Sequence, residues 1–413
     1  MMKRLIIKHA NLYTPLGHSA VNGPAMGDVR HVEDATIIVE DGTIVFAGAE
    51  ADMPEINDEA DEEVMIDAGG RAVIPGFVDS HTHMVFGGYR PDEFSWRLKG
   101  DTYMSIMERG GGIQSTVNAT RAADEEDLIE KTSWFLQSMS QMGVTTVEAK
   151  SGYGLDMDTE LRMLRVIQRL ARDPERKVDI VATFLGAHAV PKEYKGRTGE
   201  YVDLIINEIL PRVGDMAEFF DIFTEKGVFE IEDSRRMMQA AAKAGYKLKL
   251  HADEIVQLGG AELAAEMGAV SADHLLHISD EGIRSMAEKG TVATLLPLTA
   301  FALKEEYAPA RRMIDAGCAV ALATDLNPGS CFSGSIPLTI ALACIYMKMS
   351  VEEVLTALTL NGAAALDRAD SIGSIEQGKK GDMLILHFDT LSTLPYYVGM
   401  NCMDRVIKSG NLL

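Results

Sequence analysis

From Arg71 to Leu366 short apolar runs alternate with longer segments of helical periodicity, and this alternation constrains the fold more than any other feature. A parallel strand pair needs a crossover connection, normally a helix, and its strands read as near-continuous apolar runs because both faces are covered. The strand candidates are Ala72 to Asp79, Val144 to Ala149, Val178 to Leu185, Phe219 to Phe223, Lys247 to Leu250, Val270 to Ala272, Val292 to Pro297 and Ala319 to Ala323. Between them, Asp124 to Met142 places Leu128, Phe135, Leu136 and Met139 on one helical face, and Leu161 to Ala171 repeats Leu161, Leu164, Ile167 and Leu170. Ile231 to Ala244 ends at Gly245, a C-terminal cap, and Ser350 with Glu353 opens a late helix in capping-box spacing. Eight such strands over about 290 residues predict a (β/α)8 TIM-like barrel, whose catalytic residues gather at the C-terminal strand ends. An open doubly wound sheet is the alternative, but no G-x-G-x-x-G follows the first strand.

The flanks have a different texture. Leu5 to Leu12, Ala35 to Glu40 and Thr43 to Ala47 read as strands, the last two joined by the hairpin dipeptide Asp41-Gly42. Polar stretches from Pro15 to Glu33 and from Ala51 to Glu63 read as loops. After Leu366, Ile372 to Asp382 is turn-rich, and Met383 to His387 and Arg405 to Lys408 read as strands. The expected architecture is an α/β barrel over residues 71–369, inserted into a small β-sandwich domain built from both termini, residues 1–70 plus 370–413.

Composition narrows the partners. A formal net charge of −23 leaves no excess of Lys and Arg to neutralise phosphates, which argues against nucleic acid or an anionic membrane. A small anionic substrate is still allowed, provided a cation is placed locally. The four cysteines lie in the last quarter with no CxxC spacing, so a reducing cytoplasm is expected rather than a disulfide scaffold. No apolar stretch is long enough for a signal h-region or a bilayer span.

The chemistry sits at the predicted strand ends. Five of the ten histidines (His81, His83, His188, His251 and His274) stand there. His81 and His83 are two apart, so they share one face of an extended strand. Each of these residues alone has an ordinary structural reading; together His81, His83, His251 and Asp325 make a site for one divalent metal ion with room for a water. Glu254, three residues past His251, is a candidate base, and His274 a candidate for polarising a carbonyl or moving a proton. Lys150, if carboxylated, could bridge two metals, but it lies on the second strand rather than the fourth and is disfavoured. Gly110-Gly111-Gly112 reads as a mobile loop over the site or as an ordinary flexible one.

The ordered set PGFVDSHTH (from Pro75), a lone His on strand five, another on strand six, TD on strand eight and the closing TLNGAAAL…GSIEQGKKGDMLIL resembles the amidohydrolase superfamily over nearly the whole chain. Within it, HTHMVFGGYRPDEFSWRLKGDTYMSIMERGGGI (from His81), EAKSGYGL (from Glu148), FLGAHAVPKEYKGR (from Phe184), HADEI (from His251), SADHLLH (from Ser271) and LATDLNPGS (from Leu322) are similar to members that open the cyclic amide of 4-imidazolone-5-propanoate in histidine degradation. The resemblance implies one zinc or iron on His81, His83, His251 and Asp325, and a homodimer. It also implies that Arg90, Tyr153, His188, Glu254, His274, Asn327, Gly329 and Ser330 contact substrate or product, with Arg90 pairing the propionate. In that reading Glu254 is the base, His274 polarises the carbonyl and Asp325 relays a proton. An aminohydrolase of a heterocyclic ring and a non-catalytic scaffold of the same fold are the rival readings.

Overall fold

The computed structural model describes residues 2–55, 60–101, 105, 109 and 111–413. Strands β1 (Lys3–Thr14), β2 (Arg30–Glu40), β3 (Thr43–Ala49), β4 (Glu62–Asp67) and β5 (Ala72–Pro75) come first. Asp41-Gly42 makes the hairpin between β2 and β3, with Glu40 opposite Thr43. The next eight strands are β6 (Phe77–Asp79), β7 (Val144–Lys150), β8 (Asp179–Ala187), β9 (Phe219–Thr224), β10 (Lys247–Ala252), β11 (Ser271–His274), β12 (Val292–Leu295) and β13 (Val320–Leu322). They pair in chain order and in parallel, which is the nearly closed barrel expected. The chain then returns through β14 (Met383–Leu386), β15 (Met403–Lys408) and β16 (Asn411–Leu412), which join β1 to β5 in a separate mixed sheet from both termini.

The expected first barrel strand is divided. Ala72 to Pro75 belongs to the terminal sheet, with Ile74 opposite Leu384, and only Phe77 to Asp79 enters the barrel beside β7. The break falls at Pro75-Gly76. The Gly76 N–H carries the β5–β14 register one residue further, to the Asp382 carbonyl, and a Cβ there would sit 2.3 Å from the Thr145 hydroxyl. Only glycine lets the chain pass from one sheet to the other at this point. Likewise Val292 to Pro297 stops as a strand at Leu295, and Pro297 takes the first position of helix Pro297–Leu303, where its missing N–H matters least.

The helices follow the apolar spacing. Helix Glu125–Gln141 is capped by the Asp124 carboxylate, which accepts from the Asp127 N–H, and helix Val351–Leu358 opens with the full Ser350/Glu353 capping box. Helix Met157–Ala171 buries Met163, Leu164, Val166, Ile167 and Leu170. Each such side chain taken from water contributes about 1.5–3 kcal/mol.

The barrel seam closes just beyond β6 and β13. The Asp325 N–H donates to the His81 carbonyl at 3.0 Å and the His83 N–H to the Leu326 carbonyl at 2.9 Å. Asp79 accepts from the Thr324 N–H and hydroxyl at 3.0 and 2.6 Å. Closure of the sheet therefore sets the backbone of three of the four expected metal ligands.

Candidate active site

His81 and His83 extend past β6, His251 is on β10, and Asp325 follows β13. His81 Nε2 and His83 Nε2 are 3.2 Å apart, and His251 Nε2 is 3.3 Å from His83 Nε2. Asp325 Oδ1 lies 3.6 and 3.5 Å from the first two nitrogens. All four residues are at most 2% exposed. A tetrahedral ion with metal–ligand distances of about 2.0–2.1 Å has ligand–ligand edges of roughly 3.3–3.4 Å, which these four separations approach; His81, His83 and Asp325 form one close group able to hold an ion, and His81, His251 and His274 another. Three imidazole lone pairs packed this closely, away from water, repel unless a cation lies between them, because one proton can serve only one pair of them. Asp325 (φ 55°) and His274 (φ 77°) both hold the left-handed conformation, strain of about 1–3 kcal/mol that surrounding contacts must offset.

The far sides of two of the rings face buried carboxylates, while His83 Nδ1 has no hydrogen-bond partner among the described residues. His81 Nδ1 is 2.6 Å from Asp273 Oδ2, and His251 Nδ1 is 3.0 Å from Asp221 Oδ2. An Nδ1–H facing a carboxylate leaves Nε2 as the free lone pair. Thr299 donates to Asp325 Oδ2 at 2.6 Å, leaving Oδ1 toward the nitrogens. Burial first, then neighbouring positive groups, pushes His81, His83 and His274 well below the usual imidazole range. Burial acts the same way on His251, but Asp221 outweighs it and raises that ring. Beneath them Lys150 Nζ sits 2.8 Å from both Glu148 Oε2 and Asp221 Oδ2, and Lys249 Nζ 3.2 Å from Glu148 Oε1. Although burial opposes the charge, Asp221 and Glu148 hold Lys150 as an ammonium. A carboxylated Lys150 would place a third anion against those two carboxylates.

Over the expected ligands lies a cavity of about 520 Å³, lined by His83, His251 and Asp325, though not by His81, and by all the expected substrate-contacting residues: Arg90, Tyr153, His188, Glu254, His274, Asn327, Gly329 and Ser330. His188 stacks on His83 with ring centroids 4.9 Å apart, and its Nδ1 faces the Gly152 carbonyl at 3.0 Å, so its Nε2 is free for a ligand. Tyr153 is buried, its ring 5.1 Å from that of His188. Glu254 Oε1 is 3.5 Å from His274 Nδ1, and burial, reinforced by Asp325, pushes its carboxyl up to about 8. Asn327 turns inward on its own loop. Its Oδ1 accepts from the Gly329 and Ser330 N–H groups at 2.8 and 2.7 Å, and its Nδ2 donates to the Asp325 carbonyl at 2.8 Å. Arg90 donates through Nε to the Pro328 carbonyl at 3.2 Å, and a Cβ at Gly329 would lie 1.9 Å from Arg90 Nη2.

Several contributors were not expected. Arg97, Glu93, Phe223 and Ile255 also line the cavity, and Asp221, Asp273, Lys249 and Thr299 support the ligands from behind. Lys249 and His251 are two apart on one strand, a signal available in the sequence. Of the expected glycine loop, Gly110 lies outside the described residues. Gly112 is at the cavity wall, where its N–H donates to Glu93 Oε2 at 3.0 Å.

The amidohydrolase family profile matches residues 72–413. The chain is 60% identical over 415 residues to an imidazolonepropionase of Phocaeicola vulgatus, spanning 100% of this chain and 99% of that protein. It is 62% identical over 414 residues to an imidazolonepropionase of Bacteroides thetaiotaomicron, with the same coverage of both chains. Among solved structures, an adenosine deaminase from Xanthomonas campestris with bound zinc superposes with a TM-score of 0.69 at 20% identity, covering 99% of this chain and 92% of that one, a likeness of fold.

Proposed function

The chain belongs to the amidohydrolase family, among its imidazolonepropionases, and from that premise we propose that it hydrolyses 4-imidazolone-5-propanoate to N-formimidoyl-L-glutamate. The observation that carries the reading is the convergence of three imidazole nitrogens and one carboxylate oxygen in a buried cavity that also presents an arginine. A divalent ion on His81, His83, His251 and Asp325, zinc or iron since both accept imidazole and carboxylate, would supply Lewis acidity and lower the pKa of water toward neutrality.

The chain's own groups do the rest. Glu254, once ionised against the burial that raises its carboxyl, takes a proton from the water that adds to the ring carbonyl carbon. His274, beside Glu254, donates toward the carbonyl oxygen as negative charge develops there. The ring C–N bond then breaks, and Asp325 relays a proton to the leaving nitrogen. Arg90 holds the propionate in a two-point fork, which answers the acidic balance of the chain with one placed cation. Tyr153 and His188 hydrogen-bond the ring, and Asn327 holds Gly329 and Ser330 at the cavity wall. A cytoplasmic homodimer belongs to the same proposal. The four cysteines of the chain are free thiols, and among the described residues no helix is long and apolar enough to cross a membrane.

Incubating metal-loaded protein with the imidazolone and resolving the products tests the assignment: N-formimidoyl-L-glutamate is expected, and ammonia release would instead indicate an aminohydrolase. Arg90→Ala should raise KM for the propionate substrate at least about thirtyfold, because a buried charge pair loses one partner; unchanged kinetics would remove Arg90 from substrate binding. Glu254→Gln should lower kcat by about 10²–10⁴ with metal content unchanged. Wild-type turnover in that variant would take Glu254 out of the reaction.

A further inference from the structure

Helix Pro91–Leu98 carries a second guanidinium into the cavity, seven residues after Arg90 and so on the same helical face. Arg97 Nη2 donates to the Gly329 carbonyl at 2.9 Å, next to the Pro328 carbonyl that Arg90 holds. Its guanidinium lies 6.0 and 5.9 Å from the ring centroids of Phe94 and Phe332. Both arginines therefore grip the one short loop that Asn327 folds and that follows Asp325.

The charge count at this end of the cavity does not close. Among the described residues Arg97 makes no ion pair, and the one carboxylate beside Arg90 is Glu93, at a long 3.5 Å, whose Oε2 is already engaged by the Gly112 N–H. Two partly buried guanidiniums thus share one carboxylate. Burial, then the charge of Arg90, pushes the Arg97 guanidinium below its ordinary value, as expected for cations lacking a counter-ion. Arg97 has five N–H donors and uses one on Gly329, so the others remain for a ligand. The missing partner is an anion with two acceptor oxygens.

We propose that Arg97 is a second guanidinium for the substrate carboxylate, forming with Arg90 a two-arginine subsite that makes the enzyme specific for a carboxylate-bearing side chain. The assignment rests on the anionic-substrate reading given above. A carboxylate in the Arg90 fork has lone pairs left to accept from Arg97 as well, and its charge relieves the repulsion between the two arginines. A neutral side chain of the same shape would not relieve it.

The test compares wild type, Arg97→Met and Arg97→Lys as metal-loaded proteins. Two readouts are taken: turnover of the imidazolone, and calorimetric binding of the inert ligand imidazole-4-propionate against its carboxamide. Methionine keeps the apolar contact with Phe94 and Phe332. It should raise KM, and weaken binding of the carboxylate ligand, about ten- to hundredfold, as for a lost charge-assisted hydrogen bond. kcat should change less than about threefold, the sign of uniform binding. Carboxamide binding should stay as in wild type, and lysine should recover part of the carboxylate affinity. Equal weakening of both ligands would make Arg97 a loop scaffold only, and unchanged affinities would leave it without a role; either result overturns the proposal. Failure of the wild type itself to open the imidazolone would instead overturn the functional reading on which the subsite depends.

Discussion

Substituting His251 by alanine should leave the folded protein with little bound metal and lower kcat/KM at least about a thousandfold. Supporting residues around a metal typically contribute 10- to 100-fold when lost, and a direct ligand contributes more. The geometry explains why His251 is the sharpest choice. Its Nε2 closes the donor set at 3.3 Å from His83, and it reaches the site from β10, across the barrel from the seam that holds the other three. Removing it leaves His81, His83 and Asp325 in place, so the loss should appear in metal content rather than in structure. Elemental analysis after gel filtration, with activity measured before and after added zinc or ferrous ion, reads this directly. His188→Ala is the matched control, since that ring stacks on His83 and faces the cavity while its Nδ1 is taken by a backbone carbonyl. It should keep its metal. An alanine at 251 that stays metal-loaded and active would remove His251 from the ligand set, and with it the single-ion site proposed here.

The proposed ligands could be picked out of the sequence because each stands where a local pattern ends. His81 and His83 follow an apolar run at strand spacing, His251 ends one strand and Asp325 follows another. The groups that orient them were not legible, for a physical reason. Asp273 meets His81 across 192 positions through closure of the barrel, and Asp221 meets His251 through pairing of neighbouring strands, so only the folded sheet puts them together. Gly76 shows the complementary case. Ala72 to Asp79 is continuous in hydrophobicity, yet it serves two sheets, because the crossing is decided by Thr145 and the Asp382 carbonyl. Arg97 lay within reach of sequence reasoning. A spacing of seven from Arg90, with Glu93 between, is one helical face, although no local feature says that this face looks into a cavity.

Lys150→Met should destabilise the fold by about 3–5 kcal/mol, the range for breaking a buried ion pair from one side. Lys150, Lys249, Glu148, Asp221 and Asp273 are all fully buried, a charged layer where a barrel interior is usually filled with branched apolar side chains. Lys150 is the hinge of this layer, touching Glu148 and Asp221 at 2.8 Å and approaching Asp273 to 3.9 Å. Without its ammonium, Glu148 still has Lys249 at 3.2 Å and the Thr183 hydroxyl at 2.5 Å, whereas Asp221 is left to His251 and the Ile222 N–H. Two carboxylates then face each other in a region closed to water. Adding Glu148→Gln removes one of those charges and keeps an acceptor for Thr183. The double variant should therefore be less destabilised than the sum of the singles, with a coupling of about 0.5–3 kcal/mol. Denaturant midpoints for the wild type, both singles and the double close the cycle. A Lys150→Met variant within about 0.5 kcal/mol of wild type would mean that the layer does not need its central cation. An additive double variant would mean that Glu148 and Lys150 are not coupled, although they lie 2.8 Å apart.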